Sequence, residues 1–216
     1  PIPSQPAPRA PDMTEPEQKG ERRKTIEDNF AQTPRIDIVY KIPPGNTPAW
    51  YALNVVGQVL AAGNSSRLYQ KLVKDKELAV SVFGGAQERR GPSLGSITIN
   101  VKPGKDFAEI EKLVYEEIER LKTEPVADWE LEKVRNSFRR ALISQKQSTL
   151  SRAILLGQYA VYYNDPGLIN EIENRVAAVT PAEVQRVAST FLKDASRTVI
   201  ITVPKAKAPT QVSQAR

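Results

Sequence analysis

The segment that most restricts the fold lies near the end of the chain, where residues 198–203 read Thr-Val-Ile-Ile-Thr-Val and are followed by Pro204. Successive β-branched residues disfavour a helix, because each is crowded at χ1 by the preceding turn. The run has no polar alternation, so it predicts a central strand, paired along both edges and buried on both faces. Proline has no N–H for a further ladder bond, which ends the strand at Pro204.

Strand patterns also open the body. Residues 22–27 and 35–42 read as strands, the second with Ile36, Ile38 and Tyr40 alternating against Arg35, Asp37 and Lys41. Thr47-Pro48 starts a helix whose stripe is Leu53, Val56 and Leu60, with Gly63 just past its end, and Ser65 caps a shorter helix through Leu68, Tyr69 and Leu72. Residues 79–86 and 94–101 then form a long hairpin around Gly91-Pro92, with Gly84-Gly85 read as a bulge in its first strand.

From there the period changes to that of helices. Asp106 and Glu109 make a capping box ahead of the stripe Phe107, Ile110, Val114, Ile118 and Leu121, and Asp128 starts a second helix with Leu131, Val134, Phe138 and Leu142 inward. A third runs over residues 148–163, breaks at Asp165-Pro166-Gly167 and resumes over 168–176. Thr180-Pro181-Ala182-Glu183 is an N-terminal signature for the last helix, with Val184, Val187, Ala188 and Phe191 inward. Strands at both ends with helices between them predict an α+β fold, a two-layer sandwich in which helices cover one face of a mostly antiparallel sheet.

Composition narrows the chemistry. The chain has 216 residues and neither His nor Cys. It therefore supplies no imidazole base, no His-x-x-Glu-His zinc site, no Ser-His-Asp triad and no thiolate. Six prolines among the first 16 residues (Pro1, Pro3, Pro6, Pro8, Pro11 and Pro16) mark residues 1–19 as a linker and not a signal peptide. No apolar run approaches the roughly 18 residues of a membrane span.

The formal charge of +6 suggests nucleic acid until it is located. Residues 193–216 hold five bases against one acid, whereas residues 25–192 hold 21 bases and 20 acids. The excess belongs to a tail, 205–216, read as basic and disordered, and no basic, aromatic-laced stripe marks the body for nucleic acid. The densest acidic cluster is Glu109, Glu111, Glu116, Glu117 and Glu119. Lys112 and Arg120 stand three or four residues from several of these acids, so the cluster reads as the solvated flank of a helix, and Glu130 and Glu132 read as partners of a helix dipole.

Four segments in order carry a resemblance: Gly20-Glu21-Arg22-Arg23; residues 63–82, from Gly63-Asn64-Ser65-Ser66-Arg67-Leu68 to Leu78-Ala79-Val80-Ser81-Val82; Glu130-Leu131-Glu132-Lys133-Val134; and Val179-Thr180-Pro181-Ala182-Glu183-Val184. Over residues 20–204 the chain resembles the second, non-zinc-binding half of the insulinase-like zinc peptidases, the family of mitochondrial processing peptidase and pitrilysin. The resemblance implies the LuxS/MPP-like metallohydrolase fold. It also implies zinc on an inverted motif in an absent catalytic half and none in this chain. The implied role is that of a non-catalytic domain helping to enclose a peptide substrate, paired with the N-terminal half of the same protein or with a partner subunit in a homo- or heterodimer. A structural or peptide-binding module of the same fold with no proteolytic parent is the alternative, and the bacterial cell envelope or periplasm is the implied location.

In that family an Arg and a Tyr of the second half hold the substrate and stabilise the reacting carbonyl. On the motif alignment these positions fall on Val73 and Val80, neither of which can donate a hydrogen bond. Lys74 stands one residue from the Arg position. Lys74, Ser81 and Phe83 are the residues expected to touch a peptide or partner.

Overall fold

The computed structural model describes residue 9 and residues 11–205. All but the first residue of the predicted tail lies outside this span. Five strands form one mixed sheet: β1 (Arg22–Asp28), β2 (Arg35–Ile42), β3 (Ala79–Ala86), β4 (Ser93–Val101) and β5 (Arg197–Pro204), in the order β1-β5-β2-β4-β3. Three of the four pairings are antiparallel and β1 runs parallel to β5.

Among the described residues there are six α-helices: α1 (Pro48–Ala61), α2 (Phe107–Thr123), α3 (Asp128–Gln147), α4 (Thr149–Tyr163), α5 (Ile172–Ala177) and α6 (Pro181–Phe191). Their ends follow the local chemistry. The Thr47 side chain accepts from Trp50 N at α1, Gly63 takes φ +74° just beyond that helix, and Thr180 and Glu183 form the reciprocal capping box of α6. Asp106 caps α2 alone, by accepting from Ala108 N.

The core lies between this helical layer and one face of the sheet. Ile36, Ile38, Tyr40 and Ile42 of β2, Ile97 and Ile99 of β4, and Val199 and Ile201 of β5 meet Val55, Val59 and Leu60 of α1 together with Val184 and Val187 of α6. β5 is central, as its sequence predicts, with β1 on one side and β2 on the other. It is not buried on both faces. Thr198, Ile200 and Thr202 lie on the other side of the sheet and are only half-buried, because the helices that meet the sheet, α1 and α6, pack on the opposite face.

The glycine pair is not a bulge either. The register shift of β3 falls at Val80, between Ala79 and Ser81, while Gly84 and Gly85 continue the ladder. The segment expected as a second short helix widens into a π-helical turn, Tyr69–Asp75, closed by Lys76 N donating to Lys71 O. Of the segment read as a linker, Gln18 is buried and donates to Gly20 O (2.8 Å) and Arg197 O (2.7 Å), and Glu15 pairs with Lys41 at 2.6 Å.

Candidate functional site

The two edges of the sheet differ in kind. β1 reads Arg-Arg-Lys-Thr-Ile-Glu-Asp, an edge crowded with charge. β3 reads Ala-Val-Ser-Val-Phe-Gly-Gly-Ala and carries none. An unpaired edge is a template for another extended chain, and charge is one of the usual ways of blocking it. β3 lacks that protection.

The pairing phase shows which groups are free. Gln87 N donates to Leu94 O, and in an antiparallel ladder the bonds recur at every second residue. Ser81, Phe83 and Gly85 are thereby turned to β4, and Val82, Gly84 and Ala86 direct N–H and C=O away from the sheet. Among the described residues no other backbone group bonds to these three. Glycine keeps the strand close to the helical layer: a Cβ on Gly57 of α1 would lie 2.7 Å from Gly85 Cα.

The residues singled out from the sequence gather on this strand and the turn that feeds it. Val73 is half-buried against the core and Lys74 is exposed, both in the π-helical turn, which packs on β3. Val80 stands at the bulge, 54 % exposed, and Phe83 is 53 % exposed on the open face of the sheet. Ser81 accepts from Asn100 Nδ2 at 2.8 Å. A left-handed residue, Glu77 (φ 53°), joins the turn to β3.

The acids correct the sequence-based expectation. Glu109, Glu116 and Glu119 are exposed on α2, but Glu111 and Glu117 are buried. Glu111 receives both Arg23 nitrogens, at 2.8 and 2.6 Å, and the Tyr115 hydroxyl at 2.8 Å. Glu117 pairs with Lys71 at 2.9 Å. Glu130 does more than face a helix dipole, since it accepts a fork from Arg67 (2.8 and 2.7 Å) and caps α3 by accepting from Ala127 N. Two of the segments that carry the family resemblance are thus bonded to each other.

Burial pushes the Glu130 carboxyl up, but the Arg67 and Ala127 hydrogen bonds and the Arg67 charge outweigh it and hold it below the usual range. At Glu111 burial likewise raises the pKa, but the hydrogen bonds from Arg23 and Tyr115 and the Arg23 charge outweigh it and hold the carboxyl below its usual range. Both groups bind their proton at lower pH folded than unfolded. Their contribution is therefore complete above the ordinary glutamate value of about 4.3 and is lost as pH falls through the depressed folded values. With no His, little in the chain titrates between about pH 5 and 8. Thermal melts are expected to give one Tm across that interval and a falling Tm below about pH 4; a slope between pH 5 and 8 would contradict the assignment.

Nothing here suits a zinc ion. The chain lacks the imidazole and thiolate that zinc favours, its buried carboxylates are committed to Arg and Lys, and among the described residues no group of three or more acids is placed to hold a metal.

The mixed five-stranded sheet with its helical layer is an α+β fold that this chain shares with a crystallised inactive peptidase domain. Residues 2–138 match the peptidase M16 inactive domain, and the chain belongs to that family. A zinc protease of Helicobacter pylori, PqqE, is 25 % identical over 194 residues, which cover 90 % of this chain and 44 % of that protein. The crystal structure of a protease from Helicobacter pylori superposes with a TM-score of 0.84 at 24 % identity, over 93 % of this chain and 48 % of that one. The crystallised inactive peptidase domain from Bordetella parapertussis gives 0.75 at 27 % identity, over 83 % of this chain and 95 % of its own length. The chain thus spans under half the length of the Helicobacter protein it matches.

Proposed function

We propose that this domain is the substrate-holding, non-catalytic half of a zinc-dependent endopeptidase. In this account it binds an extended peptide along the β3 edge and presents it to a zinc-bearing half, either the N-terminal half of the same protein or a partner subunit. The supporting observation is the contrast between the charged β1 edge and the uncharged β3 edge. Main-chain pairing to Val82, Gly84 and Ala86 would be indifferent to sequence, which suits an enzyme that takes unfolded substrates. Phe83 and Val80 offer apolar contact and Lys74 a charge beside it.

The open face of the sheet would line the peptide-enclosing chamber. Val73 and Val80 would leave stabilisation of the reacting carbonyl to the other half, since neither side chain donates. The cell envelope is the location proposed, by analogy with the family. No helix among the described residues is long and apolar enough to cross a membrane.

Amide hydrogen exchange tests the edge. An unstructured peptide in excess is expected to slow exchange at Val82, Gly84 and Ala86 and to leave the β1 amides unchanged. Phe83→Lys, which puts a charge at the edge, should weaken peptide binding about tenfold. Unchanged exchange along β3 would leave the domain a structural module of this fold.

A further inference from the structure

The body is nearly neutral, but the open face of the sheet, the side away from α1 and α6, is not. Arg23 turns to α2, where it forks to Glu111, so its neighbours Arg22 and Lys24 stand on the opposite side of β1. Strand register sets Arg22 beside Thr198 and Lys24 beside Ile200, both on the open face. Arg35 and Lys41 of β2 alternate with its buried residues and project the same way. Four bases thus share the face. Its two acids are occupied: Asp37 accepts from Arg35 Nε (2.8 Å) and Thr98 Oγ1 (2.7 Å), and Asp28, at the strand end, accepts from Phe30 N (2.8 Å). β3 and β4 carry no charge, and the one charge of β5, Arg197, lies over Tyr115 of α2.

Protection of an edge explains neither the sign of these charges nor their place. Charge of either sign blocks an edge, and β2 lies inside the sheet, between β5 and β4, where no edge is open. On β1, Arg23 is paired with Glu21 and Glu111, whereas Arg22 and Lys24 are exposed and form no ion pair among the described residues. The chain itself shows what such a surface attracts. Residues 12–17, Asp-Met-Thr-Glu-Pro-Glu, hold three acids and no base. Glu15 pairs with Lys41 at 2.6 Å, and Lys41 Nζ also donates to Pro16 O at 3.3 Å. The Lys41 hydrogen bond and charge hold the Glu15 carboxyl below its usual range, and the charges of Arg89 and Arg22 add to this. An acidic segment without regular secondary structure is therefore already seated at one end of the face.

We infer that the open face selects, among unfolded substrates, those that carry an acidic stretch. The inference rests on the peptide-holding role of β3 and gives it a second contact. One row of neighbours crosses the sheet from Lys24 through Ile200, Asp37 and Thr98 to Phe83. Its inter-strand steps of about 4.8 Å add to about 19 Å, the length of about six extended residues. A peptide paired with β3 can therefore bring an acid to Arg22 and Lys24 when that acid lies at least about six residues outside the paired stretch. Complementary charge of this kind sets selectivity and on-rate more than raw affinity.

Fluorescence anisotropy on the whole chain tests this with two labelled peptides, which share one apolar stretch and a Gly-Ser spacer long enough to cross the row. One ends in a run of Glu and the other in a run of Lys. At low ionic strength the Glu peptide is expected to bind about tenfold more tightly, and the difference should vanish near 1 M salt, where charges are screened beyond about 3 Å. Arg22→Glu combined with Lys24→Glu changes exposed side chains, so Tm should hold while the preference disappears. Slowed exchange at Val82, Gly84 and Ala86 should persist in that variant. Equal affinities at low salt, or a Glu preference that survives the double variant, would overturn the inference and leave the β3 edge standing. A Glu preference lost in the double variant, but with no protection along β3, would uphold the basic face and overturn the edge. Single-stranded DNA that displaces the Glu peptide at equal charge would also overturn the inference, by making these bases a nucleic-acid site.

Discussion

Glu130→Ala is expected to cost the domain at least about 3 kcal/mol, because it strips the partner from a guanidinium that is itself largely buried. The Arg67 side chain is 15 % exposed and that of Glu130 is 6 % exposed, and two short hydrogen bonds join them. Alanine would leave Arg67 desolvated and unpaired and remove the acceptor for Ala127 N. For a domain of this length the loss corresponds to a drop of about 10 °C in Tm. Calorimetry on the wild type and the variant checks the value. Exchanging the pair together, Arg67→Met with Glu130→Leu, should cost much less, because no charge is then stranded. Equal losses in the single and double variants would show that the pair is not the source.

Gly84→Ala is expected to be as damaging, for a steric reason. A Cβ at Gly84 would lie 2.3 Å from Ser96 O, its sheet neighbour, and 3.1 Å from Ala61 Cβ. The first contact is backbone in a paired strand and cannot swing aside. Forcing β3 and β4 apart at this point should cost about 3 kcal/mol, or about 6–12 °C in Tm. Gly20→Ala is the control, since a Cβ there meets nothing within 4 Å. A Gly84→Ala variant that melts with the wild type would mean that β3 does not lie this close to β4 and α1.

Much of the architecture was legible because it is local. Thr47-Pro48, Gly63 and Thr180-Pro181-Ala182-Glu183 announce helix ends through bonds made within a few residues, and the structure places them there. Alternation along β2 showed which of its faces is buried. The central place of β5 was readable from six β-branched residues, but its half-open face was not, since Ile200 looks the same in sequence whether or not a helix covers it.

The acids were misread for a related reason. Glu111 and Glu117 sit on the flanks of an apolar stripe, as the helical period indicates, and their partners Arg23 and Lys71 are 88 and 46 residues away. No local pattern reveals such pairs. The register shift at Val80 was assigned to Gly84-Gly85, because glycine commonly marks a bulge, whereas here it marks a close approach of backbone. The β3 edge was visible only through three residues, Lys74, Ser81 and Phe83. That it is an edge depends on strand order, which the sequence does not state.

Cleavage of an unfolded peptide by three preparations tests the central claim most directly: this chain alone, its zinc-bearing half alone, and the two together, each with and without a chelator. The account predicts no cleavage by this chain alone, chelator-sensitive cleavage by the pair well above that of the zinc-bearing half, and a raised KM with little change in kcat when the pair contains Phe83→Lys. Cleavage by this chain unaided, or a pair no better than the zinc-bearing half, would contradict it.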